Sequence, residues 1–228
     1  MTGVQTCALP ILADSNGGFY ILQRNTAVVR YVSATGGIRS VVTGLSNPQG
    51  IASDTAGNLY ISDQTSAGLG GNIRKVDLHG ISTNIAVDRP GAIVTDATGS
   101  VYFVETFSKK IRKIDASGLV SLIVSSGLDD AQSLSFDSAG NLLVSDAGVT
   151  LTRIARVDAQ GSVSTFGGSG VGNYYSSNGG SALNVQLSAP GVLGTDGAGN
   201  LYIIDAGRIM KIGPSGTNTV MADRKSVV

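Results

Sequence analysis

Asp54-Thr55-Ala56-Gly57-Asn58-Leu59-Tyr60-Ile61-Ser62-Asp63 is the stretch from which the fold can be read. An acid opens a turn of Asp-x-x-Gly-Asn type, an apolar run follows, and a second acid closes it nine residues after the first. Asp accepts hydrogen bonds from its own backbone two residues on, and Gly or Asn tolerates positive φ, so the first half is a tight turn. Leu59-Tyr60-Ile61 is apolar on both alternating faces. A strand wetted on one side would alternate apolar with polar, so this one is expected to be covered on both.

The stretch recurs. Asp96 to Glu105, Asp137 to Asp146 and Asp196 to Asp205 keep the nine-residue step, and Asp14 to Gln23 keeps it with an amide in the second place. Working outward, each copy is preceded by a strand such as Pro48-Gln49-Gly50-Ile51-Ala52-Ser53. Each is followed by a third strand such as Ile73-Arg74-Lys75-Val76-Asp77 and, past a Gly, by a fourth such as Ile81 to Ala86. The turn acids step by 40 to 42 residues, except for 59 between Asp137 and Asp196. Self-similarity at such a period marks a repeat architecture, here with four short strands per unit. No unit sustains a helical period and Gly interrupts every candidate helix, which disfavours helical solenoids. A parallel β-helix would have shorter coils.

Composition agrees with short strands and tight turns: 32 Gly, 14% charged and 5% aromatic residues in 228. Sixteen basic residues balance sixteen acidic ones, which gives no footprint for nucleic acid or an anionic membrane. No apolar run reaches the length of a membrane-spanning helix. The one cysteine, Cys7, cannot form an internal disulfide.

The two ends read differently. MTGVQTCALPI (1–11) resembles a translated sequencing adapter, and DRKSVV (223–228) resembles the partner adapter in another frame. Both are expected to be adapter-derived. The repeat region is then expected to be 12–222, with blades near 12–44, 45–87, 88–128, 129–186 and 187–222, from a longer, metagenomic gene product. On that reading any signal peptide is lost upstream. Pro10-Ile11 nevertheless falls close to the register of a first strand.

Pro-x-Gly-Ile-Ala-x-Asp, Gly-Asn-Leu-Tyr-Ile-x-Asp and Ile-Arg-Lys-Val/Ile-Asp resemble the NHL repeat family, over nearly all of 12–222. The resemblance implies an all-β fold: a β-propeller of four-stranded antiparallel blades, about five present of six. It is similar to bacterial members and to the NHL region of teneurins. Those carry a Gly-rich insertion ending in Gly-Gly-Pro-Ala, and Gly167 to Leu187 resembles it, with Asn178 where Asp is usual and Ser181 where Pro is usual. That segment accounts for the long 59-residue step. It is expected to be a surface loop between blades, with a ligand-contacting lid as the sharper reading.

The candidate residues fall into two sets. Asp54, Asp96, Asp137 and Asp196 recur at the same turn and are expected to be structural. Asp63, Glu105, Asp146 and Asp205 end second strands, on the side where the resemblance places ligands. With Asn178 and Tyr174 of the insertion they are the ligand-face candidates. Because the acid recurs in every NHL repeat, hairpin and interblade hydrogen bonding is the favoured role. No catalytic residue and no cofactor are expected; a ring of carboxylates holding Ca2+ is the weaker option. His79, the single histidine, falls in a turn, and without a second one no His-based metal cluster can form. Gly167-Gly168-Ser169-Gly170-Val171-Gly172 opens no helix and lacks a P-loop Lys. Arg74-Lys75, Arg112-Lys113, Arg156 and Lys211 read as a solvated rim.

Two functions follow. The first is a non-enzymatic binding or scaffold module for a protein or carbohydrate ligand, presented on the variable loops after the second strands. It has no nucleic-acid partner and no membrane span, and it is monomeric when complete. The second is part of a propeller enzyme of lactonase or lyase type, with its active residues on a missing blade. Low Lys and abundant Gly, Ser and Thr favour a secreted or periplasmic bacterial protein.

Overall fold

The computed structural model describes residues 10–14, 16–65, 70–169 and 179–223. They form twenty β-strands and one 3-10 turn; among the described residues no helix is long and apolar enough to cross a membrane. The strands build five four-stranded sheets, each in sequential order. The sequence expectation of an all-β chain of five antiparallel blades therefore holds.

The chain divides into two compact units, 1–99 and 100–228. The first unit holds blade 1, made of β1 (Ile11–Ala13), β2 (Phe19–Gln23), β3 (Val28–Val32) and β4 (Ile38–Val42). It also holds blade 2, made of β5 (Asn47–Ser53), β6 (Leu59–Gln64), β7 (Gly71–Val76) and β8 (Ser82–Val87), and the strand β9 (Pro90–Thr95). Ile11, from the segment read as adapter-derived, pairs with Ile21 in β2.

The doubly apolar run Leu59-Tyr60-Ile61 is buried throughout, as a strand between two sheets must be. Leu22, Val29 and Val42 of blade 1 share a core with Ile51, Leu59, Ile61 and Val76 of blade 2. On its other side blade 2 meets β9. Ser62 donates its hydroxyl to the Gly91 carbonyl at 2.6 Å, and Thr95 donates to the Ser53 carbonyl at 2.5 Å. Gly50 is required there, because a Cβ would lie 2.9 Å from the Ile93 side chain.

The second unit holds β10 (Val101–Glu105), β11 (Lys110–Ile114) and β12 (Val120–Val124). Blade 4 follows as β13 (Ala131–Phe136), β14 (Leu142–Ala147), β15 (Thr152–Val157) and β16 (Val163–Gly167). Blade 5 is β17 (Pro190–Thr195), β18 (Leu201–Asp205), β19 (Arg208–Ile212) and β20 (Asn218–Asp223). Leu143 and Ile154 of blade 4 share a core with Leu193, Leu201, Ile203, Met210 and Ile212 of blade 5. Ser145 donates to the Pro190 carbonyl, the same seat that Ser62 fills in blade 2.

The insertion differs from the expected surface loop over its described half. Ala182, Val185 and Leu187 are almost fully buried in the core of blades 4 and 5. Gly168 and Ser169 donate to the Ala182 and Val185 carbonyls at 2.8 Å, and Ala182 donates to Gly216 at 2.7 Å. Three apolar side chains spaced by two or three residues fill the seam, and that burial, together with the backbone bonds, anchors the segment.

Candidate functional site

The turn acids act locally. The Asp14, Asp137 and Asp196 carboxylates each accept from the amides two and four residues on, at 2.7 to 3.0 Å. Asp54 accepts from the Asn58 amide at 2.9 Å and Asp96 from the Thr98 amide at 2.9 Å. A tyrosine of the second or third strand adds a hydroxyl: Tyr31 to Asp14, Tyr60 to Asp54 and Tyr202 to Asp196, at 2.7 to 3.0 Å. The hydrogen bonds from the Asn200 side chain and backbone pull the Asp196 carboxyl down to about 2. Burial, with the hydrogen bond to Asp54, pushes the Tyr60 hydroxyl up to about 12.

The acids that end second strands are buried and reach far along the chain. Asp63 accepts from the Ser46 and Asn47 amides at 2.9 Å, at the entry to β5. Asp146 accepts from the Asp129 and Asp130 amides at 2.8 Å, at the entry to β13. Asp205 accepts from the Ser188 and Ala189 amides at 2.9 and 2.8 Å, at the entry to β17. In each case one carboxylate oxygen bridges two consecutive amides of the connection that enters the same blade.

In blades 4 and 5 the other oxygen meets arginine, whereas Asp63 Oδ2 accepts from the Ser46 amide at 3.0 Å. Asp146 Oδ2 lies 3.4 Å from Arg153 Nε, and Asp205 Oδ2 lies 2.5 Å from Arg208 Nη2. Glu105 has one more methylene and reaches forward instead, to Arg112 Nε at 2.5 Å and to the Ser108 hydroxyl at 2.8 Å. Blade 1 has the amide version, with Arg30 Nε donating to Gln23 Oε1 at 2.8 Å.

Arg153 and Arg208 were not singled out from the sequence. The signal was there for Arg153: Gln23 and Arg30, Glu105 and Arg112, Asp146 and Arg153 share a seven-residue step. Arg208 has no such register because the loop before β19 is short.

The basic residues read as a solvated rim are half-exposed, and several of them also make contacts. Arg74 donates to the Thr43 and Gly44 carbonyls at 3.0 and 2.9 Å, holding the connection into blade 2. Lys75 lies 5.6 Å over the Tyr60 ring and Lys113 5.2 Å over Tyr102. Arg156 stacks on Phe166 at 4.4 Å and pairs with Asp137 at 3.3 Å. Lys75, Lys113 and Arg156 each have a long apolar stem beside an aromatic ring on an adjacent strand, which draws them onto the sheet.

Glu105 and Asp146 precede loops that carry exposed apolar tips. In the second unit Phe107 follows β10 and Val149 follows β14, and both are largely exposed. Asp129 ties the two loops. Its Oδ1 takes Lys109 Nζ at 3.0 Å, and its Oδ2 takes the Thr150 amide at 2.9 Å and hydroxyl at 2.7 Å. The Thr150 hydrogen bonds, aided by Lys109, hold the Asp129 carboxyl well below the usual range. Gly148 is the one residue that fits beside it, since a Cβ would fall 2.1 Å from the carboxylate.

Tyr174 and Asn178 lie outside the described residues. His79 lies in the β7–β8 turn, its Nδ1 3.8 Å from Asp77 Oδ2. It borders a cleft of about 270 Å³ in the first unit, together with Tyr20, Arg39 and Asp77. Among the described residues no three His, Cys, Asp or Glu side chains gather as metal ligands would.

No protein-family model matches the chain, and no curated protein does. Solved structures do. A structural-genomics protein of unknown function from Bacteroides thetaiotaomicron is 19% identical, with a TM-score of 0.77 over 94% of this chain and 57% of that one. An auxiliary nutrient binding protein from the same organism is 14% identical, with a TM-score of 0.77 over 95% of this chain and 57% of that one. Virginiamycin B lyase from Staphylococcus aureus is 15% identical, with a TM-score of 0.70 over 93% of this chain and 69% of that one. The chain thus spans little more than half the length of the first two. At these identities the likeness defines the fold, and the fold is a β-propeller.

Proposed function

We propose that this chain is an NHL-type propeller acting as a non-enzymatic binding or scaffold module for a protein or glycan partner. The partner would be taken on the loops that follow the second strands. The observation that carries the reading is the pair of tips Phe107 and Val149 on a frame fixed by Asp129. Apolar tips on a pinned polar frame suit recognition, because little conformational entropy is lost when a partner docks. The acids beneath them are taken up by backbone amides and arginines. In this reading Asp63, Glu105, Asp146 and Asp205 shape the ligand face by fixing the loop bases.

Likeness to a nutrient binding protein is compatible with this role, and likeness to a lyase keeps a propeller enzyme as the competing one. The test is to immobilise the purified chain and probe it with a glycan array and a panel of extracellular proteins. A specific ligand whose affinity falls by roughly tenfold or more in Phe107→Ser/Val149→Ser supports the reading. Turnover of a lactone above background, with no ligand captured, overturns it in favour of the enzyme.

A further inference from the structure

Blade 1 departs from the repeat at three places that the other four blades fill alike. Across its second hairpin Tyr20 pairs with Tyr31, where Lys75, Lys113, Arg156 and Lys211 stand in the others. On the fourth strand Arg39 pairs with Tyr31, where Thr83, Ser121, Ser164 and Thr219 stand. Four residues after its turn acid it carries Gly18, where the others carry Asn58, Ser100, Asn141 and Asn200. The changes fit together. A Cβ at Gly18 would collide with the Tyr31 hydroxyl, so glycine lets Tyr31 reach Asp14, to which it donates at 2.7 Å.

In blades 2 and 5 the second-strand tyrosine holds that acid, Tyr60 on Asp54 at 3.0 Å and Tyr202 on Asp196 at 2.9 Å. In blade 1 Tyr31 has taken the acid. Among the described residues the Tyr20 hydroxyl then has no hydrogen-bond partner, and Arg39 has no carboxylate, lying 5.2 Å over the Tyr31 ring. Burial raises the Tyr20 hydroxyl above its usual value, so it stays a donor at neutral pH. Both residues line the cleft of about 270 Å³ in the first unit, over an apolar floor of Val41, Leu59 and Val76 from the core of blades 1 and 2. The cleft is completed by the β7–β8 turn, which departs as well. Leu78-His79 stands where the other blades have Ala34-Thr35, Ala116-Ser117, Ala159-Gln160 and Pro214-Ser215. Asp77 of that turn has one oxygen occupied by the His79 and Ile81 amides at 2.9 and 2.8 Å. A residue that recurs in each blade serves the blade; residues that occur once and converge on one cleft call for another role.

We propose that this cleft binds a small carboxylic acid with an apolar body, at a site separate from the loops after the second strands. Arg39 and the Tyr20 hydroxyl take the carboxylate from the blade 1 side, and the His79 ring offers a further N–H from the blade 2 turn. Leu59, Val76 and Leu78 hold the apolar body. A few convergent polar groups over an apolar floor orient one ligand, and the volume, just below the range of drug-sized pockets, limits it to a small one.

Titration of the full chain with phenylacetate, followed by nuclear magnetic resonance, tests this. His79 is the single histidine, so its imidazole signals report on the cleft directly. Saturable shifts with a Kd of roughly 1 mM or tighter are expected, and uncharged phenylacetamide should bind roughly tenfold more weakly. Arg39→Ser, which restores the residue class of the other blades, should keep the fold by circular dichroism and weaken phenylacetate by roughly tenfold or more. Tyr20→Phe should weaken it by roughly threefold, the effect of one hydrogen bond. Phe107→Ser/Val149→Ser should bind phenylacetate as the unchanged chain does, which separates this site from the loop tips. Absence of saturable shifts at His79 overturns the proposal. Binding that persists undiminished in Arg39→Ser, or that does not distinguish the acid from its amide, overturns it too.

Discussion

Four of the five repeats carry two acids nine residues apart, and the two do different work. Asp196 closes a turn of its own neighbours, so its effect is local and wet. Asp205 is buried and reaches sixteen and seventeen residues back to seize the amides where its blade begins. The same residue type at the two ends of one strand thus sets a hairpin at one end and a blade boundary at the other. Recurrence alone could not separate these roles; burial and bonding distance along the chain do.

The largest effect is expected at the buried acid. Asp146→Ala removes a buried carboxylate that serves two part-buried amides and Arg153 Nε, so unfolding stability should fall by about 3–5 kcal/mol. Chemical denaturation measures it. Asp54→Ala removes a partly exposed turn acceptor and should cost only about 1 kcal/mol in the same assay. Equal losses at the two positions would erase the distinction.

Next come the pH effects of the turn set. Asp196 is depressed to about 2 in the folded chain, below the usual carboxylate value near 3.9. Its stabilisation is present above the unfolded value and is lost as pH falls through about 2. Acid unfolding should therefore be shallower in that window for Asp196→Asn. Tyr60 is raised to about 12, so its contribution is complete below the ordinary tyrosine value near 10 and is lost as pH rises through about 12. Tyr60→Phe should flatten the alkaline limb of the stability curve.

The smallest effect is expected at the loop tips. Phe107→Ser and Val149→Ser should change stability by no more than about 0.5 kcal/mol, because both side chains are exposed. A larger loss would mean that the tips support the fold.

Much of this was legible in the sequence because the hairpin is written locally. The nine-residue step and the Gly-Asn turn specify two strands and their register, and repetition multiplied that signal across five sheets. The strand-end bonds were harder to read, since Asp205 and the Ser188 amide are joined by a connection with no pattern of its own. The insertion misled because its Gly-rich start reads as a loop, while the few apolar residues that bury it, Ala182, Val185 and Leu187, follow no strand period.

We propose that the strand-end acids Asp63, Asp146 and Asp205 serve to fix the connection that enters their own blade and do not serve as cation ligands. Thermal unfolding of Asp146→Asn, run once in excess chelator and once in Ca2+, tests it most directly. The account predicts a large drop in midpoint of the same size in both, because Asp129, Asp130 and Arg153 lose their acceptor whatever ion is present. An unchanged midpoint in chelator, with a drop only in Ca2+, would contradict it and make the acid a metal ligand.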